Sequence, residues 1–342
     1  MTLELGIDTF GDVTNDADGT PVHYAQVLRN LAAQGVLADR VGLDYIGVGE
    51  HHREDFAVSA PEVVLAAIAA QTERIHVGTA VTVLSSDDPI RVFQRFATLD
   101  GIAGGRAEVI LGRGSFTESF PLFGLDLAQY EQLFEEKLEL FAAVRQQNPV
   151  TWSGTVRAPL VDKSVYPPLE HGLLPTWIGV GGSPESVVRT AKYGFNLMLA
   201  IIGGEPERFA PYVDLFQRAI AQFGMPMPKI GVHSPGHIAE TDEQAREQRW
   251  PHHSEMTNRI GKERGWGPMS REAFEHEADT GSIYVGSPET VAQKIAKTAR
   301  ALQLDRFDLK YSNGTLAHEK LMTSIELYGT QVAPRVRELL AD

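Results

Sequence analysis

The chain has 342 residues, 43% of them hydrophobic, which is ample for one large core. Its formal net charge is −14, and an acidic surface of that kind repels phosphate backbones, so nucleic acid is not an expected partner. There is no cysteine, which removes disulfides, thiolate metal sites, iron–sulfur clusters and cysteine nucleophiles.

The N-terminal stretch MTLELGIDTF lacks a basic segment ahead of an apolar one, so it is not a signal peptide. No apolar run approaches the roughly 20 residues of a membrane helix, and the chain reads as soluble, cytoplasmic and without a membrane partner.

The elements alternate in period. LELGID (3–8) reads as a strand, 23–42 as a helix, and YIGVG (45–49) as the second strand. A helix over 60–72 precedes strand RIHVGTAVTVL (74–84), and a helix over 88–105 ends in glycine, as a C-cap should. RAEVILGRG (106–114) is strand four. Then come strand TWIGVGG, helix SPESVVRTAKYG, strand FNLMLAI, helix PERFAPYVDLFQRAIAQFG and strand KIGVHSPGHIAE. Helix SPETVAQKIAKTARAL, strand RFDLKYS and one long terminal helix over 317–340 complete the chain.

Eight strands alternating with helices point to an α/β fold, a TIM (β/α)8 barrel, more than to a doubly wound sheet. A barrel takes about 250 residues. Two stretches break the rhythm and hold the excess: 148–174, rich in proline and aromatics, and 241–282, polar and helical. Both are placed to cover the barrel mouth. No linker divides the chain, so residues 1–342 read as a single domain.

Three Gly-x-Gly pairs occur, Gly47/Gly49, Gly112/Gly114 and Gly179/Gly181. None extends to Gly-x-Gly-x-x-Gly, because His52, Thr117 and Pro184 hold the last position, so a Rossmann fingerprint is absent. In a barrel, chemistry gathers at the C-terminal strand ends. Those ends carry Asp8 and Phe10, Glu50 with His51 and His52, Thr79–Ala80–Val81, Arg113, Gly181–Gly182–Ser183, His233 and His237, and Ser312.

His51 and His52 are adjacent, and on a strand they face opposite ways, which makes a shared metal ion awkward. No convincing ligand set assembles, and no metal is expected. Arg113 between two glycines suits a phosphate, held bidentately, although a salt bridge to a loop carboxylate explains it equally simply. VGGSPESV (180–187) is echoed by VGSPETV (285–291), each with Ser, Pro and Glu opening a helix. Good capping accounts for both, and anion binding at a helix N-terminus is the functional reading. Strand ends four and five are neighbours in a barrel, so Arg113 and Gly182–Ser183 favour the first copy.

EHHRED, the run from RIHVGTAV to EVILGRGSF, LPTWIGVGGSPESVVRTAKYGFNLMLA, YVGSPETV and SNGTL together resemble the bacterial luciferase-like, flavin-dependent monooxygenases, in order and over most of the barrel. The resemblance implies FMN at the mouth. It implies Arg113, Gly181, Gly182, Ser183 and Ser186 around the phosphate, and Thr79–Ala80–Val81 against the ring, with a cis bond at Ala80–Val81. It implies His51 as the catalytic histidine beside the flavin, where an ordinary pKa near 6.5 suits proton transfer.

The implied reaction uses reduced FMN and O2, through a C4a-hydroperoxyflavin, to oxygenate a small organic substrate. NAD(P)H or a separate flavin reductase supplies the electrons, and the family is commonly dimeric. Phe10 and the aromatics of 148–174 offer an apolar wall. Luciferase itself has a reactive cysteine where this chain has Gly112, so light emission and a long-chain aldehyde do not carry over. An F420-dependent hydride-transfer enzyme on the same barrel, a non-catalytic flavin-binding protein and a metal-dependent hydrolase using His51, His52 and His233 are the alternatives.

Overall fold

The computed structural model describes residues 3–341. In chain order the first half contains β1 (Glu4–Thr9), α1 (Tyr24–Arg40), β2 (Tyr45–Val48), α2 (Pro61–Ala69), β3 (His76–Thr79), β4 (Thr82–Val83), α3 (Pro89–Ala103), β5 (Val109–Gly112), a single turn α4 (Ser119–Leu122), α5 (Tyr130–Gln146), β6 (Val150–Trp152) and β7 (Leu160–Lys163). The second half contains β8 (Thr176–Val180), α6 (Pro184–Lys192), β9 (Asn196–Ala200), α7 (Ala210–Phe223), β10 (Ile230–Ile238), α8 (Asp242–Arg264), α9 (Arg271–Asp279), β11 (Tyr284–Gly286), α10 (Pro288–Leu302), β12 (Arg306–Lys310), α11 (His318–Leu327) and α12 (Ala333–Ala341).

The strands form a parallel sheet in the order β3-β2-β1-β12-β10-β9-β8-β5-β4. A bridge between Val77 and Ala107 brings β3 back to the start of β5 and closes the barrel. β3 and β4 are two pieces of one stave, so the eight strand positions read from the sequence are those of a (β/α)8 barrel.

Local chemistry sets the element ends. The Asp88 side chain accepts from the N–H groups of Ile90 and Arg91, Pro89 opens α3, and Gly104 closes it in the left-handed region.

Alternation along each stave produces two cores. Leu5, Ile7, Ile46, Val77, Leu111, Leu199 and Phe307 face the helices. Tyr45, Ile110, Trp177 and Met198 pack inside the barrel. At the inner floor Arg306 lies between the rings of Tyr45 and Trp177, each 4.4 Å from its guanidinium. It pairs with Glu108 at 2.9 Å, and Glu108 also accepts from Trp177 Nε1 at 2.9 Å. Burial alone would raise the Glu108 carboxyl, but Arg306, His76 and Trp177 outweigh it and hold its pKa at about 2.

Several elements differ from the sequence pattern. α5 falls in a stretch for which that pattern supplies no element. The 74–84 strand breaks at Ala80–Val81, whose peptide bond is cis, as the resemblance implied. The terminal helix is interrupted by a wide turn at Tyr328–Val332. β11 adds to the end of β10 beyond the barrel.

The first insertion does not cover the mouth. β6 and β7 form an antiparallel hairpin on the outer flank, where Trp152 joins the helix-side core and Thr155 bonds Glu136 of α5. The hairpin climbs that flank because its apolar face has α5 to bury against. Tyr166 beyond it is exposed, so these aromatics do not line the site.

At the mouth the first glycine of each Gly-x-Gly pair has one use. A Cβ on Gly47 would sit 2.9 Å from the Ala80 Cβ, one on Gly112 would sit 2.5 Å from Val81 Cγ2, and one on Gly179 would sit 3.2 Å from Val81 Cγ1. Three staves therefore give up side chains so that the Ala80–Val81 corner can fold into the top of the barrel. Gly112→Ala should destabilise the protein by about 1–3 kcal/mol in equilibrium urea unfolding. Gly181→Ala, where nothing lies within 4 Å of the added carbon, should change it by less than about 0.5 kcal/mol. Equal effects at the two positions would contradict this packing.

Candidate active site

The loops after β1 and β2 are stitched together before they present any side chain. The Ala57 N–H donates to Gly11 O at 2.7 Å, Val13 N–H to Asp55 O at 2.9 Å, and His51 N–H to Val58 O at 2.9 Å. This stitching puts the His51 ring inside an aromatic box. Phe56 stacks on it at 4.4 Å between centroids, and Phe10 and Phe116 meet it edge-on at 4.7 and 5.3 Å.

Neither ring nitrogen of His51 has a hydrogen-bond partner among the described residues. Burial therefore dominates and pushes its pKa down to about 3, with the Asp12 carboxylate opposing too weakly to restore it. The expectation that His51 titrates near neutrality fails for this reason. At pH 7 the imidazole is neutral.

His52 diverges from His51 in the loop beyond β2. Its Nε2 lies 2.8 Å from Glu50 Oε1, while Glu50 Oε2 accepts from the Val83 N–H at 2.9 Å. Glu50 thereby ties the second strand end to the backbone just past the Ala80–Val81 corner. Thr79 is fully buried: its hydroxyl donates to Ile110 O at 3.1 Å and accepts from Thr82 at 3.0 Å. Its side chain secures the corner and has none of its surface open to a ligand, whereas Ala80 and Val81 are partly exposed.

A second histidine reaches the mouth. His233 Nδ1 lies 2.6 Å from Oδ2 of the buried Asp8, and its ring stacks on Phe10 at 6.0 Å. A carboxylate on Nδ1 keeps the proton there and leaves Nε2 as the free acceptor. The sequence reading placed His233 at a strand end and weighed it only as a metal ligand. Its partner is 225 residues away, so no local signal exists. His52 and His233 are turned to two different carboxylates, and His51 is enclosed by aromatic rings. Among the described residues no group of three His, Asp or Glu could hold a metal ion.

The two helix N-termini opened by Ser-Pro-Glu differ. At α10, Asp242 already fills the position: Ser287 N–H donates to it at 2.6 Å and Thr290 Oγ1 at 2.9 Å. At α6, Ser183 caps the Ser186 N–H at 3.3 Å, Gly182 takes a φ of 110°, and Tyr212 donates to Gly182 O at 2.8 Å. The Ser186 hydroxyl is buried with no partner, and Gly181 is exposed. α6 follows β8, which pairs directly with β5, the strand that carries Arg113 at its end. Arg113 itself pairs with Glu131 in the first turn of α5 and lies over the Tyr130 ring at 5.8 Å. The salt-bridge reading thus describes the side chain, with a helix carboxylate as its partner. Glu131 is more than half exposed, so that pair is weak and exchangeable.

The cover over the mouth is the second insertion. α8 crosses it from Asn313, whose amide donates to Arg249 O at 3.4 Å, to Arg259 beside Asp55 at 2.9 Å and Arg264 donating to Ser115 O at 3.3 Å. Arg53 joins in, bonding Glu263 of α8 and lying 4.6 Å over Phe116.

A barrel whose mouth joins an open helix N-terminus, an arginine and histidines under a helical cover defines an enzyme of the (β/α)8 class. The family model described as luciferase-like monooxygenase matches residues 9–305, and the chain belongs to that family of oxidoreductases. It is 27% identical to limonene 1,2-monooxygenase of Rhodococcus erythropolis over 254 residues, 70% of this chain and 64% of that one. The oxygenating constituent of 3,6-diketocamphane monooxygenase from Pseudomonas putida, solved with FMN, superposes with a TM-score of 0.77 at 19% identity, covering 98% of this chain and 99% of that one. An F420-dependent secondary alcohol dehydrogenase superposes at 0.74 and 18% identity, with coverage of 98% and 99%. No helix among the described residues is long and apolar enough to cross a membrane.

The buried neutral His51 has a thermodynamic consequence. Its unfolded imidazole titrates near 6.5 and its folded one near 3, so its stabilisation is whole above pH 6.5 and is lost as pH falls toward 3. Below pH 6.5 wild type should lose stability faster than His51→Gln, the gap widening by about 1 kcal/mol per pH unit. Parallel urea-unfolding curves at pH 7, 5.5 and 4.5 would show that burial does not hold His51 neutral.

Proposed function

We propose that this protein is an FMN-dependent monooxygenase that oxygenates a small organic substrate with O2 at the barrel mouth. The observation that carries this reading is the α6 N-terminus: open backbone donors, an orphaned Ser186 hydroxyl and Arg113 on the adjoining strand, while its twin at α10 is filled by Asp242. Arg113, Gly181, Gly182, Ser183 and Ser186 would hold the phosphate, with Arg113 exchanging Glu131 for it. The Ala80–Val81 corner would back the ring system, and a neighbour of the same fold was solved with FMN.

Reduced FMN supplies the two electrons that activate O2, one oxygen atom passing to the substrate and the other leaving as water. The electrons come from NAD(P)H or a separate reductase. The rest falls to the protein. Phe10, Phe56 and Phe116 exclude water around His51. His51 is the catalytic group beside the ring, and being neutral at pH 7 it acts as a hydrogen-bonding partner without adding charge. His233, with Nδ1 fixed by Asp8, accepts and returns a proton at Nε2.

Absorbance titration of the purified protein with FMN and with F420 tests the cofactor. FMN should bind, and Arg113→Ala should weaken it by about 10–100-fold without shifting the unfolding midpoint. His51→Ala should keep FMN affinity and lose about 100-fold in substrate-dependent O2 uptake. Binding of F420 with no binding of FMN would replace this reading by hydride transfer.

A further inference from the structure

α8 carries a charge that the protein does not balance. Arg249 is fully buried, and Nη1, which donates to Gly236 O at 2.7 Å, is its one guanidinium nitrogen with a partner among the described residues. No carboxylate among the described residues forms an ion pair with it. Asp12 is the carboxylate that acts on it, and Asp12 is fully engaged elsewhere. Both Asp12 oxygens accept from Lys310 Nζ at 3.0 Å, the Gly314 N–H donates to Asp12 at 2.8 Å, and the Ser312 hydroxyl donates as well.

Lys310 and Asp12 cancel, and Asp8 is taken by His233. Burial presses Asp308 toward its neutral form. Among these groups Arg249 is left with no carboxylate in contact. Burial lowers its pKa to about 10, which leaves it a cation at neutral pH. An unpaired buried cation is costly, and proteins rarely keep one without a partner to receive.

Two neighbours lie beside it. One turn along α8 the buried ring of His253 faces the buried side chain of Asn313, whose amide group lies against the Arg249 carbonyl. These groups belong to the mouth. Asn313 follows the Lys310 strand end, and a further turn along α8 the Met256 side chain lies over Gly314.

We propose that Arg249, with Asn313 and His253, forms the anion-binding end of the substrate site, so that the organic substrate oxidised here bears a carboxylate. The unbonded Nε edge of a guanidinium takes a planar carboxylate in two parallel bonds, which would give Arg249 the counter-charge that no protein carboxylate supplies at contact. His253 adds hydrogen bonding, and the apolar remainder of the substrate would extend under α8 toward the Phe10–Phe116 box. The inference rests on the mouth being the oxygenation site and deepens that reading by naming a substrate class.

The test is isothermal titration calorimetry of the FMN-loaded protein with butyrate, octanoate and benzoate, each paired with its own amide. At least one acid should bind wild type about tenfold or more tightly than its amide. Arg249→Met should erase that preference and leave FMN affinity unchanged, and Arg249→Lys, which keeps the charge but not the fork, should retain part of it. No acid preferred over its amide by wild type overturns the proposal even if the variants fail to fold. A preference that survives Arg249→Met, or a loss of FMN affinity in its place, also overturns it. If the protein binds no FMN, the same titrations on the flavin-free protein decide the carboxylate question separately from the cofactor.

Discussion

Space at the top of the barrel is the constraint on which the rest of the site depends. Ala80 and Val81 fold inward between β3 and β4, and no second set of side chains fits there. Gly47, Gly112 and Gly179, on three different staves, each lie where a Cβ would collide with that corner. The outcome is a platform of small residues at the mouth, backed by Thr79 and by the Glu50 carboxylate, which holds the chain just beyond the corner. A planar ring system needs such a flat seat, and the aromatic box around His51 stands at its edge. A side chain at Gly112 has no room here, because Val81 occupies its place.

Around this platform the charges are arranged by burial more than by count. Arg306 and Glu108 neutralise each other deep in the barrel, clamped by Tyr45 and Trp177, and so stay out of the chemistry. At the mouth, Asp12 answers Lys310 and Asp8 answers His233. His51 is kept neutral by its aromatic neighbours. Against that background the α6 N-terminus with Ser186 and the Arg249 side chain of α8 each keep a buried polar atom without a partner. They belong to different elements, one at the β5–β8 side and one at the β10–β12 side, so a bound cofactor and a substrate would each have an end of its own.

Much of the fold was legible because the signals are periodic and local. The eight alternating units follow from periods of 3.6 and 2, and the Gly104 cap from the glycine that ends α3. The Gly-x-Gly pairs were visible too, but their purpose was not. They read as a failed nucleotide fingerprint, when each first glycine makes room for residues 80 and 81 on another strand. Long-range pairing hid the rest. The Asp8–His233 contact, the filling of the α10 N-terminus by Asp242 and the crossing of α8 over the mouth join residues far apart in sequence. The 148–174 stretch was assigned to the mouth because its composition marks an insertion without saying which side of the barrel it buries against. The lowered pKa of His51 is hidden in the sequence for the same reason, since Phe10, Phe56 and Phe116 come from three separate loops.

The central claim is that the glycine-cleared corner and the α6 N-terminus form one flavin seat. A crystal structure of the protein grown with FMN tests it most directly. The account predicts the phosphate at the backbone of Gly182–Ser183 and the Ser186 hydroxyl, with Arg113 turned from Glu131 to meet it and the ring against Ala80–Val81 beside His51. A flavin whose phosphate lies elsewhere, with Arg113 still on Glu131 and the Ser186 hydroxyl still unbonded, would contradict it.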